Sequence, residues 1–100
     1  MMRRAMNITT LILCLAASPS FAYTGEELEG QAKISIAHAE ATALKARHGE
    51  VTDRELEKEQ GGSGLRYSFD IRSGGKTYEV GIDAKTGKVL ENAAEGANPD

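Results

Sequence analysis

"LRYSFDIRSGGKTYEVGID", residues 65–83, decides the fold. Its first half alternates without a fault, with Leu65, Tyr67, Phe69 and Ile71 on one parity and Arg66, Ser68, Asp70 and Arg72 on the other. The second half repeats the pattern with Tyr78, Val80 and Ile82. Side chains of an extended chain point alternately to opposite faces, so each half reads as a strand with one apolar side. Between them stands Ser73-Gly74-Gly75-Lys76. The two-residue loops that suit strand twist need positive φ at both positions, and Gly-Gly supplies it.

Turn and alternation check each other. With Gly74-Gly75 as the loop, Ser73 pairs with Lys76, Ile71 with Tyr78, Phe69 with Val80 and Tyr67 with Ile82. Every apolar residue then meets an apolar partner on the same face. A slip of one residue would turn one strand's apolar side to water, so the register is specified twice.

Upstream, "VTDRELEKE" (residues 51–59) reads as a further strand, joined through Gln60-Gly61-Gly62-Ser63-Gly64. Placing Leu56 inward beside Tyr67 sets its register. Val51 then has the wrong parity, which predicts a bulge or an early end. Downstream, Lys88-Val89-Leu90 predicts a short fourth strand, and residues 92–100 read as a disordered tail. "ISIAHAEATALKARHG", residues 34–49, changes to helical period: Ile36, Ala39, Ala43 and Leu44 fall on one face. Ser35 suits the N-cap and Gly49 a left-handed end, with His48 beside the last carbonyls. Residues 23–33 are polar and acidic, with two glycines, and read as a flexible lead-in. The predicted fold is α+β, one N-terminal helix packed on one face of a three- to four-stranded antiparallel β-meander over residues 34–91.

The first 22 residues read as a cleaved signal peptide. Arg3 and Arg4 form a basic start, "ITTLILCLAA" an apolar core, and Ser20 and Ala22 the small residues before a cut between Ala22 and Tyr23. The apolar run is too short for a membrane span, which needs about 20 residues. Cys14, the one cysteine, would leave with it. The 78 residues that remain carry no disulfide and no thiol ligand, and suffice for one small domain. Without Arg3 and Arg4, ten Lys+Arg face fifteen Asp+Glu, a net charge of −5. Nucleic acid binding draws on phosphate neutralisation, so this balance argues against it. The expected product is exported, periplasmic or secreted, and not inserted in a membrane.

Chemical motifs are weak. Thr86-Gly87-Lys88 resembles part of a phosphate loop, but five residues separate Gly81 from Gly87 where the motif has four, and Val89 stands in place of the magnesium-ligating hydroxyl. A turn accounts for the same residues: Asp83 accepts from a backbone N–H two residues on, and Gly87 supplies the left-handed position. His38 and His48 lie ten apart, not at the spacing of about four that places two zinc ligands on one helical face. No Gly-x-Ser-x-Gly elbow is present. The expectation is a non-enzyme with no cofactor.

The predicted register also sets Asp70 opposite Glu79 on the outward face, with Asp53 flanking Asp70. Like charges directly across a sheet repel. Arg66, opposite Asp83 and near Glu57, and Arg72 are the expected compensating cations. The reading as a solvated face of weak ion pairs stands beside that of an acidic row for a basic partner or a cation.

Residues 78–89, Tyr-x-Val-x-x-Asp-Ala-x-Thr-Gly-Lys-Val, together with the helix "KISIAHAEATALKA", resemble the PepSY domain over residues 32–91. The resemblance implies a non-catalytic module that binds or restrains peptidases, or binds another envelope protein. His38 departs from the acidic residue expected at the third helical position, leaving any capping box incomplete. With no protease following, the module is expected to act on a separate partner. The alternative is a small cation-responsive sensory module using the acidic sheet face.

Overall fold

The structure, a computed structural model, describes residues 22–96. The signal peptide read over residues 1–22 and the end of the tail lie almost wholly outside them. The described chain holds a 3-10 helix (Glu26–Gln31), helix α1 (Ile36–Ala46) and four strands: β1 (Glu50–Lys58), β2 (Leu65–Ser73), β3 (Lys76–Asp83) and β4 (Val89–Ala94). The strands form one antiparallel sheet in the order β1-β2-β3-β4, with α1 on one face.

The central hairpin has the register required by its alternation. Ser73 pairs with Lys76, Ile71 with Tyr78, Phe69 with Val80 and Tyr67 with Ile82. Gly74 and Gly75 have φ of 61° and 83°, the left-handed pair that such a loop demands. In β1, Leu56 lies opposite Tyr67, and the ladder shifts between Val51 and Asp53, the bulge expected from Val51's parity.

The core is the inward face of the sheet closed by small residues of α1. Leu56, Tyr67, Phe69, Ile71, Val80 and Ile82 are buried against Ala39 and Ala43, while Ile36 and Leu44 are partly buried at the margin. Two methyl-sized side chains facing the sheet let the helix lie close to it. At the helix start, the Ser35 hydroxyl accepts from the His38 N–H at 3.1 Å. The Tyr67 hydroxyl donates to the Ile34 carbonyl at 2.9 Å and so fixes the helix entry to the sheet.

Three expectations need correction. The helix ends at Ala46, three residues before Gly49; Arg47 is already extended, at φ −148° and ψ 104°. Asn92 from β4 takes the capping role expected of His48, donating to the Ala46 carbonyl at 3.2 Å and accepting from Arg47 Nε at 3.1 Å. The Arg47 guanidinium then lies 3.7 Å from the centre of the Tyr78 ring. Asn92 can do this because β4 does not stop at Leu90: Asn92, Ala93 and Ala94 pair with Val80, Glu79 and Tyr78. The residues read as the start of a tail are strand.

Residues 23–33, read as a lead-in, are built onto the domain. Thr24 bridges Glu55 in parallel, and its carbonyl accepts the Leu56 N–H at 2.8 Å. The 3-10 helix follows, with Leu28 and Tyr23 against the core and the Tyr23 hydroxyl donating to Glu29 at 2.8 Å. Gly25 is what lets the chain cross β1 here. It has φ of 90°, and a Cβ would overlap the Leu56 carbonyl.

The turn after β3 is organised by Asp83, which is 1% exposed. One carboxylate oxygen accepts from the N–H groups of Lys85 (2.8 Å) and Thr86 (3.0 Å), the other from that of Ser63 (2.6 Å). Gly87, at φ 83°, returns its N–H to the Asp83 carbonyl at 2.9 Å. Burial raises the carboxyl's pKa, but the three backbone donors outweigh it and hold Asp83 well below the usual carboxylate range. Replacing Asp83 by Ala orphans those donors. The expected cost is about 2–3 kcal/mol, read as a drop in melting temperature of roughly ten degrees or more. A variant that melts with the wild type would show that the carboxylate does not hold the turn.

Candidate functional site

The face of the sheet opposite α1 is acidic and open. Its residues are those of outward parity: Asp53, Glu55 and Glu57 from β1, Ser68 and Asp70 from β2, and Glu79 from β3. With Glu59 and Glu95 they line a shallow depression of about 310 Å³, seven carboxylates around one serine. The expected acidic row is in register, Asp53 opposite Asp70 and Asp70 opposite Glu79.

The two arginines do not neutralise that row. Arg66 does stand opposite Asp83 and Glu57 in the ladder. Its stem lies across Gly81, where a Cβ would come within 2.9 Å of it, and its head reaches Glu91 at 3.3 Å and the Gln60 carbonyl at 3.3 Å. Asp83 has turned inward to its own loop, so the expected Arg66–Asp83 compensation is absent. Arg66 Nε is buried with no hydrogen-bond partner. Arg72 is exposed at the strand end, opposite Thr77 and Glu50. Among the described residues the ion pairs are Arg66–Glu91 and Arg54–Glu40, neither within the row.

The row's electrostatics follow. Burial, with Glu95 and Asp53 adding repulsion, pushes Asp70 up. Burial, with Glu91, Asp70, Glu57 and Glu95, pushes Glu79 up. Such a face attracts cationic groups and repels anionic ones. Among the described residues no three His, Cys, Asp or Glu side chains form a group able to hold a metal ion. His38 and His48 are exposed and stand apart, on the helix and beyond its end.

A second feature lies on the helix side. α1 packs over β2, β3 and β4 but stands off β1, whose inward face meets the 3-10 helix instead. The gap is an apolar groove of about 400 Å³ lined by Tyr23, Ile36, Ala37, Ala41 and Leu44. Glu40 and Arg54 close one wall with paired bonds of 2.6 and 3.1 Å.

Sequence reasoning named Asp53, Asp70, Glu79, Arg66 and Arg72 but left out of the site Glu55, Glu57 (met only as a neighbour of Arg66), Glu59 and Glu95. The first three were signalled by their parity with Asp53. Glu95 was hidden because it sits in a stretch read as tail. The groove has no sequence signal, since it exists only through the distance between α1 and β1.

The row makes stability depend on pH in a definite sense. Asp70 and Glu79 are raised from ordinary values of 3.8 and 4.5, so the folded state takes up their protons first. Stability therefore rises as pH falls from neutrality toward those values. Asp83 acts oppositely: it is depressed from 3.8, so its contribution is present above that value and lost as pH falls through its folded pKa. The melting temperature is expected to peak near pH ~4. Asp70→Asn should raise it at pH 7, by about 0.5–1 kcal/mol in stability, and flatten the climb toward acid. A melting temperature that only falls on acidification, or an Asp70→Asn variant less stable at pH 7, would contradict this account.

No helix among the described residues is long and apolar enough to cross a membrane. Neither the curated proteins nor the solved structures searched contain a match to this chain. A family model, described as "Peptidase propeptide and YPEB domain", matches residues 33–92, more than half of the 100-residue chain. That span runs from the entry of α1 to Asn92 in β4 and contains both stretches that carry the resemblance, the helix and residues 78–89 with the Asp83 turn, so the chain belongs to the PepSY family.

Proposed function

We propose that this chain is an exported, non-catalytic module that binds protein, acting on a peptidase or another envelope component through its open acidic sheet face. The observation that carries the reading is the unscreened row Asp53, Asp70 and Glu79, set among further carboxylates on a face that α1 leaves uncovered. Placing like charges across a sheet costs stability. A cationic partner surface would offset that cost on binding and gain from the same charges in rate of association. The family's description, which names peptidase propeptides, supports a peptidase as the partner class. No residue set in the described chain suggests a reaction. The leader-like residues 1–22 support export to the periplasm or the exterior.

The cation-responsive alternative uses the same carboxylates, Asp53, Asp70 and Glu79 sharing one row without a basic partner among the described residues; since no three side chains there converge on one ion, it implies diffuse attraction of cations and not ligation at a site. It differs in its readout, calcium raising the melting temperature of the wild type but not of Asp70→Asn.

The deciding experiment is cross-linking capture from an envelope extract at low and moderate salt, with the Asp70→Lys/Glu79→Lys double variant as control. The expected result is a defined partner, lost with the double variant and weakened by salt, whose peptidase activity changes when the protein is added. Identical capture by wild type and variant, or no capture at any salt, would refute the reading.

A further inference from the structure

The apolar groove and the acidic face meet at one strand edge. β1 is outermost in the sheet, and among the described residues the bridge between Thr24 and Glu55 is the one pairing on its free side. The Leu56 N–H points outward there, to the Thr24 carbonyl. Alternate residues of a strand direct their N–H and C=O groups to the same side, so Arg54 also turns to that edge, its C=O facing Thr24 across the parallel bridge and its N–H directed beyond it. A third depression, lined by Ala22, Tyr23, Thr24, Thr52, Asp53 and Arg54, marks the spot. It shares Tyr23 and Arg54 with the apolar groove and Asp53 with the acidic depression.

We infer that the edge of β1 at residues 52–54 receives a short extended peptide in which apolar and basic residues alternate. The inference rests on the protein-binding reading and specifies its partner. A strand added beside β1 obeys the same period of two as β1 itself. Its residues on the Arg54 side stand over the groove between Tyr23, Ala41 and Leu44. Those on the Asp53 side stand beside Asp53, Glu55 and Asp70. Backbone pairing supplies affinity that is blind to sequence, while the two flanks select by alternate side chains. An apolar residue loses little on entering the groove, and a Lys or Arg on the other side meets carboxylates that lack cations of their own. An acidic or uniformly apolar strand fits one flank and is rejected by the other.

The features that limit the site also define its length. The bulge between Val51 and Asp53 breaks the ladder on one side, and Thr24 occupies the edge from the Arg54 carbonyl to the Leu56 N–H on the other. Bulges and covering segments are the usual means of keeping an edge from open-ended pairing. What remains between them accommodates a short segment and not a growing sheet.

The test uses the full chain and two synthetic peptides of equal Val and Lys content, one strictly alternating and one with its lysines in a single block. Titration calorimetry gives affinities, and amide NMR gives the place of contact. The alternating peptide is expected to bind at least about tenfold tighter, shifting the amides of residues 52–56. Ala41→Gln, an exposed helix position that fills the groove without changing charge, should weaken it several-fold. Asp53→Asn should weaken it and reduce its salt dependence. Equal affinities with shifts confined to the surroundings of Asp70 and Glu79 would overturn the edge site and leave the acidic-face reading standing. Binding of neither peptide would overturn both. Amides of residues 52–54 already protected from exchange in the peptide-free chain would show the edge filled by the chain's own preceding residues, and would also overturn the site.

Discussion

The Asp83 carboxylate accepts one N–H from the loop between β1 and β2 and two from the turn between β3 and β4. Those connections are far apart in sequence yet lie at the same end of the sheet, and a buried anion with three donors ties them together. Charge-assisted bonds of this kind are stronger than neutral ones, and an orphaned buried donor costs more than a bond is worth. The Ala84 backbone extends the tie: its N–H donates to the Leu65 carbonyl at 2.8 Å, and its carbonyl accepts from Lys33 and Ile34 at the entry to α1. Strand order, loop position and helix entry thus depend on one corner. A sheet whose helix supplies only two buried alanines needs such a corner, because its hydrophobic core is thin.

The two faces of the sheet have opposite electrostatic designs. On the helix side the charged pair is Arg54 with Glu40, bidentate and tying strand to helix across the gap. On the open side, carboxylates stand across from one another, and the one nearby half-buried arginine is spent on Glu91 and a backbone carbonyl. Gly81 contributes by absence: without a side chain there, the Arg66 stem crosses β3 toward β4 and away from Asp70. The unscreened row is therefore a consequence of where Arg66 is led, and not of too few basic residues in the chain.

How much of this was legible in the sequence depends on the range of the interaction. The hairpin register, the Val51 bulge and the inward face of α1 follow from periodicity and a Gly-Gly turn, which are local and redundant. The Asp83 turn was legible for the same reason, a side chain meeting a backbone two residues away. The errors share the opposite character. Gly49 reads as the helix stop because glycine favours the left-handed cap, but Asn92, 46 residues beyond Ala46, closes the helix from another strand. Asn, Ala and Glu are poor strand formers, and β4 continues through them because β3 offers a ready ladder. Residues 23–33 lack periodicity, and what places them is the Thr24 carbonyl on β1 together with the passage that Gly25 allows. The register of the acidic row follows from the alternation, but Arg66 pairs with Glu91 and not with Asp83. Register says which residues are neighbours but not which way a long arginine turns.

The same period of two that made the fold readable also constrains what the protein can recognise. In β1, Asp53, Glu55 and Glu57 point to the open face while Arg54 and Leu56 point toward the helix side. Had α1 packed directly on β1, the helix side of that edge would be closed and any partner would read the acidic face alone. Because α1 stands off and the 3-10 helix covers only part of the inward face of β1, an apolar groove stays open beside Arg54, across the strand from the anionic face. A flat acidic face selects by net charge, which many basic surfaces satisfy. An edge flanked by two unlike surfaces selects by the order of residues along a strand, a far narrower criterion. If the proposed edge site binds as inferred, its specificity comes from the offset of one helix, with no deep pocket required.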